Sequence, residues 1–153
     1  MDSGFWLQDV YYSKTIDAGR FGLLCLSKGI WDNDTLLNDT AYFNAMTNTS
    51  QYYNLAYGYL TWLNGKNSCM LPNAQFIFNG YFCPSAPADM YATLGKNDQK
   101  IYVVPSQNLV VVRFGNAAYT SALSISVLDN ELWQKISELT YSVTSLIDDE
   151  NRT

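Results

Sequence analysis

The chain contains no histidine, and that single absence removes the commonest machinery for hydrolysis near neutral pH. A Ser–His–Asp triad and every histidine metal site are excluded. A hydrolytic base would have to be a lysine, a tyrosine or a carboxylate. The three cysteines, Cys25, Cys69 and Cys83, match no zinc spacing, so no metal or cofactor is implied. Cys25 falls on a helical apolar face and reads as a small core residue. Cys69 and Cys83 flank one loop, where either a disulfide worth about 3 kcal/mol or two free thiols fit the sequence. The remaining chemical hint lies in the backbone. In MYATLGKNDQKIYVVPSQNLVVV (Met90 to Val112), Gly95 ends a strand pattern just before a tight connection. A glycine there either serves the turn or clears space for a ligand to approach the main chain.

The elements that must position this stretch are legible from pattern. Thr15 to Ser27 reads as a helix with Thr15 as N-cap, Phe21 and Leu24 on one face, Lys28 near its end and Gly29 in the left-handed closing position. Asn38 reads as the next N-cap, with Leu37 and Tyr42 as a hydrophobic staple and the helix ending near Thr47. In LAYGYLTWLNG, Ala56, Gly58, Leu60 and Trp62 alternate against Tyr57, Tyr59, Thr61 and Leu63, which predicts a strand. Residues 64–90 predict a long loop, either a rim or a lid packed on the sheet. Three strands follow, near 90–95, 99–104 and 109–114, with Pro105 to Asn108 as a tight turn. Neither apolar run alternates cleanly between polar and apolar, so the sheet should be covered on both faces. From Asp129 a capped helix places Leu132, Ile136, Leu139, Val143 and Leu146 on one stripe, which should lie across the sheet. Residues 148–153 predict a frayed tail.

Composition bounds the class. With 153 residues, 48% hydrophobic, and 12 Tyr, 7 Phe and 4 Trp, the chain can bury a core of its own. It reads as one α+β unit, an antiparallel sheet backed by a C-terminal helix with short helices before it. Net charge is −5 and the nine basic residues are scattered, which argues against a nucleic-acid partner. No apolar run approaches the roughly 18 residues of a transmembrane segment. The opening MDSGFWLQDVYY reads like the middle of a domain.

Three stretches together carry a family resemblance: DAGRFGLLCLSKGIW (Asp17–Trp31), YGYLTWLNG (Tyr57–Gly65) and GKNDQKIYVVPSQNLVVVRFGN (Gly95–Asn116). In this order they resemble the C-terminal part of penicillin-recognising serine hydrolases, the group of class C β-lactamases, DD-peptidases and related esterases. The resemblance covers most of positions 5–140, less than half of such a protein. Their motifs are S-x-x-K, Y-x-N and K-T-G or a relative. Thr93-Leu94-Gly95 corresponds to the third, Gln99 follows as in the esterase-like branch, and Pro105 falls where that branch has its proline. Two departures stand out: Thr93 replaces the lysine of K-T-G, and Asp98 replaces the glycine before Gln99, as a residue that tolerates left-handed backbone.

No serine in the chain is followed by lysine three positions on, so the nucleophile is absent from it. Tyr42-Phe43-Asn44 and Tyr52-Tyr53-Asn54 match Y-x-N but lie after the RFG helix, where packing and capping are their expected roles. The resemblance implies that the Lys96 N–H would be one oxyanion donor, with Gln99, Tyr57 and Trp62 as cleft candidates, although aromatic residues on a strand more often belong to core. Asp17, Arg20 and Asp9 suggest a structural ion pair. Thr93 brings no charge to greet a substrate carboxylate, which tilts the expectation away from penicillins. Two functions follow: part of a Ser–Lys acyl hydrolase, inactive alone, with an exported or periplasmic parent; or a non-catalytic ligand- or partner-binding module on the same fold. Both imply an exposed sheet edge and an apolar patch, covered by an N-terminal half or a second copy.

Overall fold

The computed structural model describes residues 12–71, 75–118 and 127–150. In chain order the elements are α1 (Thr15–Leu26), β1 (Ile30–Trp31), β2 (Asp34–Thr35), α2 (Thr40–Met46), β3 (Trp62–Leu63), β4 (Ser68–Cys69), β5 (Phe78–Asn79), β6 (Tyr91–Leu94), β7 (Lys100–Val104), β8 (Leu109–Arg113) and α3 (Val127–Glu150). The main sheet is antiparallel in the order β3-β6-β7-β8, and two small hairpins, β1-β2 and β4-β5, stand apart from it. The mixed α+β architecture with a C-terminal helix on the sheet is the one expected from pattern.

Side-chain parity explains why the strand runs did not alternate between polar and apolar. Tyr91, Ile101, Val103 and Val110 pack with Cys25 and Leu26 of α1 on one face. Ala92, Leu94, Tyr102, Val104 and Val111 pack with Trp62 and Trp133 on the other. Both faces are covered, so both parities are apolar. Close approach of α1 requires Gly22, where a Cβ would meet Val110 Cγ1 at 2.5 Å. Loop 64–90 takes the lid role on the α3 face: Cys69, Phe82, Cys83, Ala86 and Met90 join that core. Buried Asn64 organises it, its amide donating to the Cys83, Ala86 and Pro87 carbonyls.

Several local expectations need correction. Lys14, without a side-chain bond, occupies the N-cap of α1, and Thr15 is already helical; the left-handed closing position after the Ser27 cap falls on Lys28 (φ +53°), one residue before Gly29, which is left-handed too (φ +88°). The α2 cap is Asp39, whose carboxylate accepts the Tyr42 N–H at 2.8 Å; Asn38 is one residue early, which also displaces the staple. The predicted strand over 56–63 survives only at Trp62–Leu63. Its first half folds back through a tight turn in which Leu60 is left-handed (φ +54°) and Gly58 donates to Thr61 O. Gly58 is required there because a Cβ would lie 2.0 Å from Met46 O. Alternation was real, but the chain reverses in the middle of it.

Over its described side chains the buried face of α3 is also rotated from the predicted stripe; the stripe residues Val143 and Leu146 lie outside the described side chains. Leu132 and Ile136 contact the core, but the fully buried anchor is Trp133, and Leu139 is 68% exposed. Asp129 is no cap but a buried residue within the helix. Polar groups fix this rotation, since Asn130 accepts from Ser85 N–H and Ser137 donates to Ser85 O. Asp148 to Glu150 continue the helix, and residues 151–153 of the expected tail lie outside the described residues. Trp133→Ala should therefore destabilise the fold by about 3–5 kcal/mol, while Leu139→Ala stays within about 0.5 kcal/mol. Urea unfolding of the two variants measures this, and the reverse ranking would restore the original stripe.

Candidate functional site

The stretch around Gly95 is the end of a hairpin. Leu94 pairs with Lys100 across β6-β7, and the next residue, Gly95, donates to Gln99 O at 2.7 Å. Gly95 is extended (φ −104°, ψ 170°), whereas Asn97 and Asp98 are left-handed at φ +59° and +60°. The turn's unusual backbone thus falls on Asn97 and Asp98, two residue types that tolerate it, and not on the glycine. A Cβ at Gly95 would meet Gln99 Cβ and O at 3.3 Å, a tight contact without a severe clash.

Backbone alternation then sets the direction of the next amide. In an antiparallel ladder successive N–H groups point to opposite edges. Because Gly95 is extended and bonds toward β7, the Lys96 N–H turns toward the outer edge of β6. On that edge β3 pairs only with Tyr91 and Ala92. Among the described residues no strand continues past that point, so the exposed Gly95-Lys96 peptide stands at an open sheet edge.

Thr93 occupies the same parity as Tyr91 and faces α1. There it borders a groove of about 330 Å³. Its floor is Tyr91, Ile101 and Val103; α1 contributes Phe21, Gly22 and Cys25; α2 and its approach contribute Leu37, Tyr42 and Met46; the reversed turn closes it with Tyr59, Leu60 and Thr61. Among the described residues no charged side chain lines it. Tyr91 donates its hydroxyl to Cys25 O at 3.0 Å, and the Tyr42 and Tyr59 rings stack obliquely at 5.6 Å.

Beneath the turn, on the opposite face, lies a buried charge cluster. The Lys100 ammonium donates to Asp129 Oδ1 at 2.7 Å and stands 3.1 Å from Asp98 Oδ1. Tyr102 donates its hydroxyl to Asp129. Arg113 donates to Asp98 O at 2.8 Å, and the Asp98 carboxylate accepts the Ala118 N–H at 2.9 Å. Burial raises the Asp98 pKa, but the Ala118 hydrogen bond and the Lys100 and Arg113 charges outweigh it, leaving the group below its ordinary value. Tyr102 is shifted upward by burial and by Asp129, so its phenol stays protonated. Lys100 therefore cannot serve a substrate carboxylate.

Other sequence candidates fall elsewhere. Gln99 binds its own turn, exchanging hydrogen bonds with Gly115 and donating to Asn97 O, which removes it from the cleft. Trp62 is buried on the α3 face with Tyr57 packed edge-on at 4.9 Å, so both are core and not cleft. Asn54 ties the chain to Met70 through both amide atoms and Phe43 is buried, the packing and capping roles expected for the two Y-x-N matches. Arg20 does pair with Asp17 at 2.6 Å; Asp9 lies outside the described residues. Cys25, Cys69 and Cys83 are free and buried, with no Cys69–Cys83 disulfide. Among the described residues no acidic, cysteine or histidine cluster could hold a metal, and no helix is long and apolar enough to cross a membrane.

Sequence reading missed the groove and the charge cluster. The cluster had one available signal: Lys100 shares strand parity with Tyr102 and Val104, so a cation on that face needs a buried partner. The groove had none, because it depends on the turn at Gly58 to Thr61. Comparison with protein-family models, with curated proteins and with solved structures finds no match. The likeness to penicillin-recognising hydrolases therefore rests on the three sequence stretches.

Three outcomes follow. Lys100→Met leaves two carboxylates buried without their cation and should lose about 3–5 kcal/mol, partly regained by adding Asp129→Asn. A carboxylate with a depressed folded pKa stabilises above its unfolded value and loses that contribution as pH falls. The stability gap between the wild type and Asp98→Asn should thus be full above about pH 4 and close at lower pH; a gap that widens in acid would contradict the assignment. Separately, burial pushes the Cys25 thiol up to about 11, and burial with the Asp129 charge pushes Cys83 up to about 12. Thiol labelling at pH 8 should leave the native protein unmodified and reach all three cysteines in guanidinium, whereas rapid native labelling would show the core to be looser.

Proposed function

We propose that this chain supplies the oxyanion-donor part of a Ser–Lys acyl hydrolase related to the β-lactamases and DD-peptidases, and that it does not turn over substrate by itself. The observation that carries the reading is the Gly95-Lys96 peptide. By strand alternation its N–H turns toward an edge of β6 that no strand covers among the described residues, because the extended Gly95 already bonds its own N–H to Gln99 O. A fixed backbone donor at such an edge is the element that a tetrahedral intermediate requires. The position matches the one that the family resemblance assigns, and Gly95 presents no side chain to an acyl group passing beside it. The serine and its lysine would come from residues that this chain does not contain.

A non-catalytic binding module on the same fold is the second reading, and the uncharged groove beside Thr93 favours it. Proline substitution separates the two. Gly95 is extended, which a following proline accepts, so Lys96→Pro deletes the N–H with little backbone disturbance, while Lys96→Ala keeps it. In a protein that combines this chain with a segment bearing S-x-x-K, Lys96→Pro should lower kcat on a chromogenic ester about 10²–10³-fold, with Lys96→Ala within a few-fold. Equal kcat for both variants, or no hydrolysis by a well-folded assembly, would leave only the binding reading.

A further inference from the structure

Resting on the hydrolase reading, we infer that the groove beside Thr93 is the subsite for the substrate's acyl side, and that it selects an uncharged, largely apolar group. Position is the first reason. Thr93 borders the groove and lies on the α1 face of β6 two residues before Gly95, which places the groove next to the peptide that carries the Lys96 N–H.

Chemistry is the second reason. A volume of about 330 Å³ falls within the range of small-molecule sites, and the groove is walled by α1, α2 and the 59–61 turn. An anionic group entering it would lose its hydration and meet no cation among the described residues that line it, a severe penalty. Lys100, paired with Leu94 across the hairpin, is turned to the other face and held by Asp98 and Asp129, and the exposed Lys96 is not among the lining residues. The polar atoms available are hydroxyls, and that of Tyr91 is already directed to Cys25 O. Thr93 is therefore the specificity-determining residue: a hydroxyl that tolerates a carbonyl or amide, standing where a lysine would call for a carboxylate.

Binding tests this without any turnover, so its outcome is independent of the nucleophile and of the Lys96 N–H. The probes are naphthalene-2-carboxamide and naphthalene-2-carboxylate, which share shape and differ in charge. Each is titrated into the 153-residue chain and followed by amide NMR. The carboxamide should bind saturably at least about ten-fold tighter and shift the amides of Phe21, Tyr59 and Thr93. Thr93→Phe should abolish binding by filling the groove, and Thr93→Lys should reverse the preference toward the carboxylate. Native thiol protection in each variant confirms that it is folded. Equal affinity for the two probes, shifts confined to another face, no saturation, or a Thr93→Lys variant that still prefers the amide would each overturn the inference. If the amide binds as described while Lys96→Pro leaves catalysis intact in the assembled protein, the groove stands and the oxyanion assignment falls.

Discussion

The structure depends on one buried cation. Lys100 opens β7, an inner strand of the main sheet, at its turn end, with its ammonium out of contact with water. It ties together three parts of the chain: β7, the turn at Asp98 and the terminal helix at Asp129. Such ion pairs contribute little net stability compared with an apolar replacement, because desolvation offsets the attraction. What this one determines is position. Asp98 belongs to the turn that begins at Gly95, so the clasp on the α3 face holds the peptide that faces the opposite edge. Arg113 and the Ala118 N–H hold the same turn from β8 and the segment after it.

From that anchor the sheet divides labour between its faces. On the α3 side, Trp133, Tyr102, Val104 and the cysteine-bearing loop form a closed core. The α1 side is only partly closed: Gly22 lets the helix sit close over Val110 and Ile101, but toward β6 the contact opens into the groove. Large apolar side chains remain half exposed along that rim, Phe21 and Tyr59 among them. The chemistry proposed for Gly95-Lys96 and the selectivity proposed for Thr93 both lie on this open side. Among the described residues no strand pairs with the outer side of β8 or with the β6 edge beyond Ala92.

Sequence pattern disclosed the β6-β7-β8 meander almost to the residue, because its apolar runs are long and the Pro105 turn is unambiguous. It also located α1 and the α+β class. It failed where a non-local contact overrode a local rule. The alternation of Ala56 to Leu63 suits a strand equally well as two short arms, and only the contact of Gly58 with Met46 O decides for the turn. The stripe on α3 was misread because Leu139 looks like core in one dimension, whereas Asp129, Trp133 and Ser137 take the inward positions through partners distant in sequence. At the candidate site, the residues were legible and their roles only in part. Gly95 and Thr93 could be singled out by type, but Gln99 turned inward to its own loop, and a period-two pattern could not tell whether Trp62 faces core or cleft.

Hydrogen exchange at two neighbouring amides examines the proposed donor most directly. In the native chain the Gly95 amide, bonded to Gln99 O, should exchange slowly, while the adjacent Lys96 amide exchanges at close to the rate of an unprotected peptide. Protection of Lys96 equal to that of Gly95 would mean that its N–H already has a partner, and the open oxyanion donor on which the functional reading depends would not exist.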